Sequence, residues 1–222
     1  MKVIGNPTIQ TPAIGIFGGT FNPIHFGHLR MAQELADALN FDEVRFIPAA
    51  NPPHKNSLSI SAEHRAAMVH LSIQNNTNFS FDDRELHRAG ASYTIDTLLS
   101  LREELGMKAS ITLLMGSDAF TKFDTWHRWQ EIIQLCHIAL VQRPQTEANK
   151  LPNILETFLH NHYTEHSDDL HTTPAGFVTM RQVTALDISS TAIREAFKHG
   201  HSARYLMPDS VIEYIHAHKL YK

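Results

Sequence analysis

The chain has 222 residues, a single cysteine and a formal net charge of −4. This length suits one domain with a sizeable core, and the weakly acidic balance disfavours general nucleic-acid binding, so any phosphate site must be local. One cysteine excludes an internal disulfide framework and a cysteine-cluster zinc site, and the sequence shows neither a signal peptide nor a long apolar span. We therefore expect a single cytoplasmic domain over 1–222, with no nucleic-acid or membrane partner. Composition does not distinguish a monomer from a homo-oligomer.

Apolar, β-rich runs alternate with segments of helical period along the chain. The predicted strands are 13–17, 43–48, 79–82, 110–115, 137–141 and 177–180. Helical stripes start at Leu29, Ala67 and Ile95, with Ser61 opening the second and Ser92 as N-cap candidate of the third. This alternation predicts an α/β fold: a Rossmann-like, doubly wound, mostly parallel sheet with helices on both faces and a small C-terminal helical part.

Three stretches stand apart from this alternation. Residues 1–12 form an N-terminal extension, and residues 143–176 read as a polar, histidine-rich insertion at the edge of the sheet. Residues 187–222 hold a second candidate phosphate motif and the last helices.

The first candidate site follows the first strand, where Gly18, Gly19 and Thr20 form a turn before a helix. Two glycines let the backbone turn sharply and approach an anion, and the next helix directs its free amides to the same place. His25 and His28 are three residues apart at the start of that helix, so their side chains share a face. The stretch predicts a nucleoside triphosphate site.

Two further loops follow strands. Pro52, Pro53, His54 and Lys55 make a rigid extended loop that carries a cation, since a residue before proline is biased away from helix. The segment 116–118 (Gly-Ser-Asp) follows the fourth strand. Because the carboxyl ends of parallel strands lie at one edge of the sheet, we expect all three loops to meet there.

The segment 187–194 (DISSTAIR) combines serine hydroxyls with an arginine at the start of a helix. Hydroxyls, free amides and a guanidinium suit phosphate oxygens. Taken alone, the pattern is explained better by an ordinary serine-capped helix with a solvated arginine.

Several motifs together resemble one family. GGTFNPIHFGH resembles the HxGH signature of the nucleotidylyltransferase superfamily, and in particular the GGTF(D/N)PxHxGH of bacterial nicotinate-nucleotide adenylyltransferases. ISSTAIR resembles that family's ISxTxIR, and the middle of the chain resembles its SYTxxTL and GxD…F…W segments. The C-terminal residues 205–215 are similar to its closing YLxPxxVxxYI. Asn22 stands where aspartate is common, which is within the family's usual range.

The resemblance implies transfer of the adenylyl group of ATP to nicotinate mononucleotide, with Mg²⁺ accompanying ATP. It assigns catalytic roles to His25, His28 and Arg194. It implies ATP contacts at Gly18, Gly19, Thr20, Phe21, Lys55, Ile188, Ser189, Ser190 and Arg194, with His54 as a further candidate. It implies mononucleotide contacts at Thr94, Gly116, Asp118 and Trp126.

Two further residues of reactive or aromatic type have simpler interpretations. We expect Trp129 to pack in the core and Cys136 to be a packing residue rather than a nucleophile. No protein side chains are expected to form a metal cage.

Other functions fit the sequence less well. The chain lacks the GxxxxGK(S/T) of a P-loop kinase and the GxGxxG of a dehydrogenase. A phosphopantetheine adenylyltransferase or a cytidylyltransferase would share the phosphate motifs but is expected to lack the middle segments. A non-catalytic nucleotide sensor would be expected to lose a histidine or the arginine. Zinc binding by His160, His162, His166 and His171 stays an alternative, although their spacing is irregular.

Overall fold

The structure is a computed structural model that describes residues 12–53, 60–142, 151–184 and 186–222. Most of the predicted N-terminal extension lies outside these residues, as do His54 and Lys55 of the loop that follows the second strand.

Six strands in the described residues form one parallel sheet in the order β3-β2-β1-β4-β5-β6. They are β1 (Ala13–Gly19), β2 (Glu43–Pro48), β3 (Phe79–Phe81), β4 (Ser110–Gly116), β5 (His137–Gln142) and β6 (Val178–Gln182). Neighbouring β1 and β4 are separated by two intervening strands in the chain, so the strand order reverses between them. Ligands of open α/β sheets bind in the crevice at such a reversal. The predicted fold class is confirmed.

The helices of the described residues are α1 (Phe26–Leu39), α2 (Ala62–Ile73), α3 (Thr94–Leu105), α4 (Ser117–Phe120), α5 (Trp129–Leu135), α6 (Asn153–His162), α7 (Asp169–Thr172), α8 (Ser190–Lys198) and α9 (Asp209–Ala217). A short 3-10 turn covers Phe123–Thr125. No helix within the described ranges combines the length and the apolar character needed to cross a bilayer.

The sheet separates two apolar cores, as expected for helices on both faces. One core collects buried side chains of α1, α2, α8 and α9, such as Leu35 and Ile193. The other collects those of α3, α5 and α6, such as Leu98 and Phe158. Trp129 packs against the second core, which confirms its predicted structural role. Packing on both faces explains why β1, β4 and β5 are buried along most of their length and read as apolar runs rather than alternating ones.

The predicted serine N-cap is found at the start of α2 but not at the start of α3. Ser61 caps α2 and accepts a hydrogen bond from the amide of His64. Ser92 does not cap α3, because Tyr93 occupies the N-cap position without a side-chain cap bond. The Ser92 hydroxyl instead accepts from the amide of Asn51 at 3.0 Å, while Ser92 N donates to Asn51 O at 2.9 Å. Ser92 therefore ties the entrance of α3 to the loop after β2.

The predicted insertion at 143–176 is described from residue 151 onward, where it contains α6 and α7. This stretch connects β5 to β6, and Leu155 and Leu170 within it are fully buried. Two of its four candidate zinc ligands bind backbone carbonyls: His162 to Gly176 O and His171 to Leu39 O, each at 2.9 Å. In the part of the chain that the structure describes, no group of three or more His, Cys, Asp or Glu side chains could hold a metal ion.

Candidate active site

A cavity of about 410 Å³ opens at the carboxyl ends of β1, β2 and β4. It brings together loops from all three strands. Among the residues predicted from sequence, its walls include Gly18, Gly19, Thr20, Phe21, His25, His28, Thr94, Gly116, Asp118 and Trp126. The two histidines predicted to bind phosphate and the four residues predicted to bind the mononucleotide therefore line the same cavity.

The glycine turn has different requirements at its two glycines. A Cβ added to Gly19 would lie 2.9 Å from Cζ of the Phe21 ring, which is itself buried. A Cβ added to Gly18 would meet no protein atom within 4 Å. Gly19 is therefore needed for packing, whereas Gly18 leaves cavity space free for a ligand. Phe21 has a positive φ of 47° and packs edge-on against Phe17, so its ring belongs to the core while its backbone shapes the turn.

His25 and His28 lie side by side at the start of α1. His25 is the N-cap residue and is buried, while His28 lies at the third helical position and is partly exposed. The His25 amide donates to Nδ1 of His28 at 3.3 Å, and the two ring centroids are 3.8 Å apart. A Cβ added to Gly27 would lie 3.0 Å from the His25 ring. The glycine of the HxGH pattern therefore makes room for the first histidine.

A second hollow of about 340 Å³ joins the two phosphate motifs. It is lined by Thr20, Phe21, Asn22, His28, Ser190, Thr191 and Arg194. Three of these, Thr20, Phe21 and His28, also line the larger cavity. The start of α8 and the glycine turn therefore lie on either side of this second hollow.

Within the second motif, Ile188 and Ser189 line neither of these two hollows, although the Ile188 carbonyl lies next to Gly27 on the wall of the larger one. Ser189 caps α8 by accepting from Ala192 N at 3.1 Å, and Ile188 packs against the first core. Ser190 and Arg194 do reach the first motif: Ser190 Oγ donates to Pro23 O at 2.9 Å, and Arg194 Nη1 donates to Asn22 O at 2.8 Å. The two motifs are therefore in direct contact.

Arg65 of α2 supports the same turn, although the sequence did not mark it as functional. Its side chain is 1 % exposed, and it donates to Thr20 O at 2.7 Å and to Ala50 O at 3.0 Å. Because the C=O and N–H of one trans peptide point in opposite directions, holding Thr20 O turns the Phe21 amide away from Arg65. Burial lowers the pKa of Arg65. One guanidinium thus links the loops that follow β1 and β2.

The C-terminal residues also reach this turn. The Tyr221 hydroxyl donates to Oδ1 of Asn22 at 2.6 Å in a buried bond. Burial raises the pKa of Tyr221, while the nearby Arg194 and Arg65 act to lower it. Segment 20–23 is therefore held by side chains from α2, α8 and the chain end.

The opposite end of the cavity is aromatic and more exposed. Thr94 is the first residue of α3, Asp118 lies in the first turn of α4, and Trp126 packs edge-on against Phe123. Tyr93 and His127, which the sequence did not mark as functional, lie there with ring centroids 4.5 Å apart and ring planes tilted by 34°. A flat ring and a sugar fit this end of the cavity better than a phosphate does, because aromatic faces and a carboxylate suit rings and hydroxyls.

Cys136 is fully buried, and its Sγ donates to Ile132 O at 3.4 Å. Burial raises the pKa of its thiol to about 12. A thiol that stays protonated is a poor nucleophile, which confirms the predicted packing role.

The chain resembles proteins of known name over most of its length. Residues 16–196 match the family model described as cytidylyltransferase-like. A relative from Dechloromonas aromatica (strain RCB), named "Probable nicotinate-nucleotide adenylyltransferase", is 44 % identical over 94 % of this chain and 97 % of its own length. A relative of the same name from Acidithiobacillus ferrooxidans is 42 % identical over 93 % of this chain and 94 % of its own.

The fold is found among solved structures. That of Plasmodium falciparum nicotinic acid mononucleotide adenylyltransferase complexed with NaAD matches with a TM-score of 0.71 at 18 % identity, covering 95 % of this chain and 97 % of that one. At this level of identity the match supports the architecture of the sheet and its helices.

Proposed function

The chain belongs to the nicotinate-nucleotide adenylyltransferase family, and we propose that it transfers the adenylyl group of ATP to nicotinate mononucleotide. The products are nicotinate adenine dinucleotide and pyrophosphate, in a step of NAD biosynthesis. The observation that carries this proposal is the single cavity that joins the paired histidines to the Thr94, Asp118 and Trp126 end. A generic ATP site would need only the first half of it.

The reaction needs alignment more than activation. The phosphate of the mononucleotide is already an anion at neutral pH, so its oxygen attacks the α-phosphorus of ATP without a strong general base. The new P–O bond forms as the bond to the β-phosphate oxygen breaks, and pyrophosphate leaves with that electron pair. Holding the two substrates in line and neutralising the charge on the transferring group lower the barrier.

The proposed roles follow the position of each residue. His25 and His28 contact the phosphates of ATP, with His28 nearer the developing charge because it lines both hollows. Arg194, at the far wall of the second hollow, neutralises the phosphates that become pyrophosphate. Gly18, Gly19, Thr20 and Phe21 offer their backbone to the triphosphate.

The second motif contributes through both side chain and backbone. We propose that Ser190 exchanges its bond to Pro23 O for a phosphate oxygen, since the hydroxyl already lines the hollow. We propose that Ile188 and Ser189 contribute backbone groups to ATP from the loop before α8. Lys55 stays a proposed ATP ligand on the strength of the sequence motif.

At the other end, we propose that Trp126 stacks on the pyridine ring and that Asp118 accepts the ribose hydroxyls. Thr94 binds the carboxylate end of the ring through its place at the start of α3, where free amides favour an anion. We propose that Gly116 leaves room for the sugar. A Cβ at this position would meet no protein atom within 4 Å, so the space beside it is open to a ligand.

Mg²⁺ enters this account as part of the substrate, Mg–ATP. The described residues contain no cluster of three metal-ligating side chains. We propose that phosphate oxygens of ATP and water supply most of the ligands of Mg²⁺. The ion offsets phosphate charge, and the steps described above are carried by this chain's own residues. We place the reaction in the cytoplasm, in keeping with the single buried cysteine.

The test is a comparison of acceptors with Mg–ATP in excess. Pyrophosphate release is measured with nicotinate mononucleotide, nicotinamide mononucleotide and phosphopantetheine, and the adenylylated product is identified by mass. The proposal predicts fast release with the nicotinate form and a matching amount of the dinucleotide. Faster turnover of phosphopantetheine would contradict it, as would ATP binding without release from any acceptor.

A further inference from the structure

Glu85 is a buried carboxylate on the cavity wall that the roles above leave unused. It lies between β3 and α3, is 6 % exposed and lines the cavity. Its Oε1 accepts a hydrogen bond from the Thr97 hydroxyl at 2.5 Å. Its Oε2 is buried and has no hydrogen-bond partner among the described residues. One oxygen of this carboxylate is therefore satisfied, and the other has no hydrogen-bond partner among the described residues.

No cation in the described part of the chain is bonded directly to this carboxylate. Arg88 is near, but its Nη2 donates to Thr97 Oγ1 at 3.2 Å and to Tyr93 O at 3.4 Å. Burial raises the pKa of Glu85 and the Asp82 charge adds to this, whereas the Thr97 and Ser92 hydroxyls and the Arg88 charge act to lower it. A buried carboxylate whose hydrogen bonds come from hydroxyls, with no directly bonded cation, is costly to ionise until a positive group comes close.

The position of Glu85 identifies the part of the ligand that it meets. Thr97 follows Thr94 by one turn of α3, so the two residues share a helix face at the aromatic end of the cavity. That end also contains Trp126, where the proposed function places the pyridine ring. In a pyridine mononucleotide, this ring is joined to the ribose through a quaternary nitrogen and carries a positive charge.

We propose that Glu85 is a specificity-determining residue whose carboxylate provides the negative charge opposite the cationic ring of the mononucleotide. The inference rests on the proposed function and deepens it. The ring charge offsets the cost of ionising a buried carboxylate, and the Trp126 face supports the same cation. Glu85 thereby favours a charged ring over a neutral ring of the same shape, while the contact at Asp118 holds the ribose, which both ligands share.

The experiment compares two acceptors that differ only in ring charge. One is nicotinate mononucleotide, and the other is the 5′-phosphate of 3-(ribofuranosyl)benzoic acid, whose ring, carboxylate, ribose and phosphate match but whose ring is neutral. KM for each is measured with wild type and Glu85→Gln, which keeps the volume and the bond to Thr97 but removes the charge. Asp118→Asn is the matched control, because it removes a carboxylate proposed to contact the shared ribose.

For Glu85→Gln we expect KM to rise about tenfold for the charged ring and less than about twofold for the neutral ring, as for loss of one close charge pair. KM for ATP should stay unchanged. Asp118→Asn should raise KM for both acceptors equally. An equal change for both acceptors in Glu85→Gln, or no change for either, would overturn the inference.

Wild type alone also tests the idea if Glu85→Gln fails to fold, because an enzyme that uses the two acceptors with equal KM would overturn it. Failure of the proposed function has a separate signature: wild type would then use neither acceptor.

Discussion

The guanidinium of Arg65 donates to the carbonyl of Thr20 at 2.7 Å, and this partly buried bond holds the turn that faces the proposed active-site cavity. The same side chain holds Ala50 at the start of the proline-rich loop. Arg65 therefore holds the glycine turn in place, although Arg65 itself does not line the cavity.

Replacing Arg65 by Met should damage both stability and ATP use. Two partly buried carbonyls would lose their charged donor, so we expect the free energy of unfolding to fall by about 3 kcal/mol and kcat/KM for ATP to fall at least about tenfold. Urea denaturation and steady-state kinetics measure the two effects. Arg30→Met, at a side chain that is 54 % exposed, is the control and should change neither. Normal ATP kinetics in a folded Arg65→Met would show that the turn does not depend on this bond.

Gly27→Ala should separate activity from stability. The new Cβ would lie 3.0 Å from the His25 ring and push it aside. Since alanine is a better helix former than glycine, stability should hold within about 1 kcal/mol. Turnover should drop by about a hundredfold, as for a catalytic group displaced by a fraction of an ångström. The melting temperature measures the effect on stability, and kcat measures the effect on turnover. An unimpaired kcat would mean that catalysis tolerates the displacement of the His25 ring.

Arg194→Ala should lower kcat/KM by about 10²–10³-fold, because a charge that stabilises the transferring phosphates is lost. Arg194→Lys should recover only part of this, since lysine lacks the planar fork. The control on the same helix is Lys198→Ala, at a side chain that is 65 % exposed, which should leave the rate constants unchanged. Equal rates in Arg194→Ala and Lys198→Ala would remove Arg194 from the mechanism.

His137 should make the fold sensitive to acid. Its side chain is buried between Thr173 O at Nε2 and the Phe177 amide at Nδ1, and burial lowers its pKa to about 4. A histidine whose pKa is depressed in the folded state stabilises the fold above its unfolded pKa, and this stability is lost as pH falls from about 6.5 towards 4.

Over that range the loss should reach about 3 kcal/mol from this group. Unfolding free energies measured from pH 7 to pH 4 in wild type and His137→Asn test the idea. The variant should be less stable at pH 7 and lose less on acidification. Parallel pH curves for the two proteins would assign the acid sensitivity to other groups.

Much of the fold could be predicted because the strands are buried on both faces. The segment 137–141 reads as an apolar run and lies within β5 in the structure, and the prediction for the third strand ends one residue late. The helices α6 and α7 were not predicted. Their stretch is polar and contains prolines, although Leu155, Phe158 and Leu159 lie at helical spacing within α6 and could have indicated that helix.

Many of the residues that line the cavity could be predicted from the sequence. The residues that hold the glycine turn in place, Arg65 and Tyr221, could not. Histidines and glycines in a fixed pattern are visible in sequence, and the family that they indicate is confirmed. Arg65 lies within a helical stretch where an arginine normally marks the solvent face, and Tyr221 is a single aromatic residue near the chain end. Their contacts join residues 45 and 199 positions apart, which only the folded chain reveals.

The most direct test of the account is the single-turnover rate of adenylyl transfer in His28→Ala, with enzyme in excess over labelled ATP and with nicotinate mononucleotide saturating. His87→Ala, at a histidine whose side chain is 72 % exposed, is the matched control. The account predicts that dinucleotide forms at least about a hundredfold more slowly in His28→Ala, while ATP affinity changes far less, because His28 acts on charge that develops in the transition state. Dinucleotide formation at the wild-type rate in His28→Ala would contradict the placement of the reaction at the paired histidines.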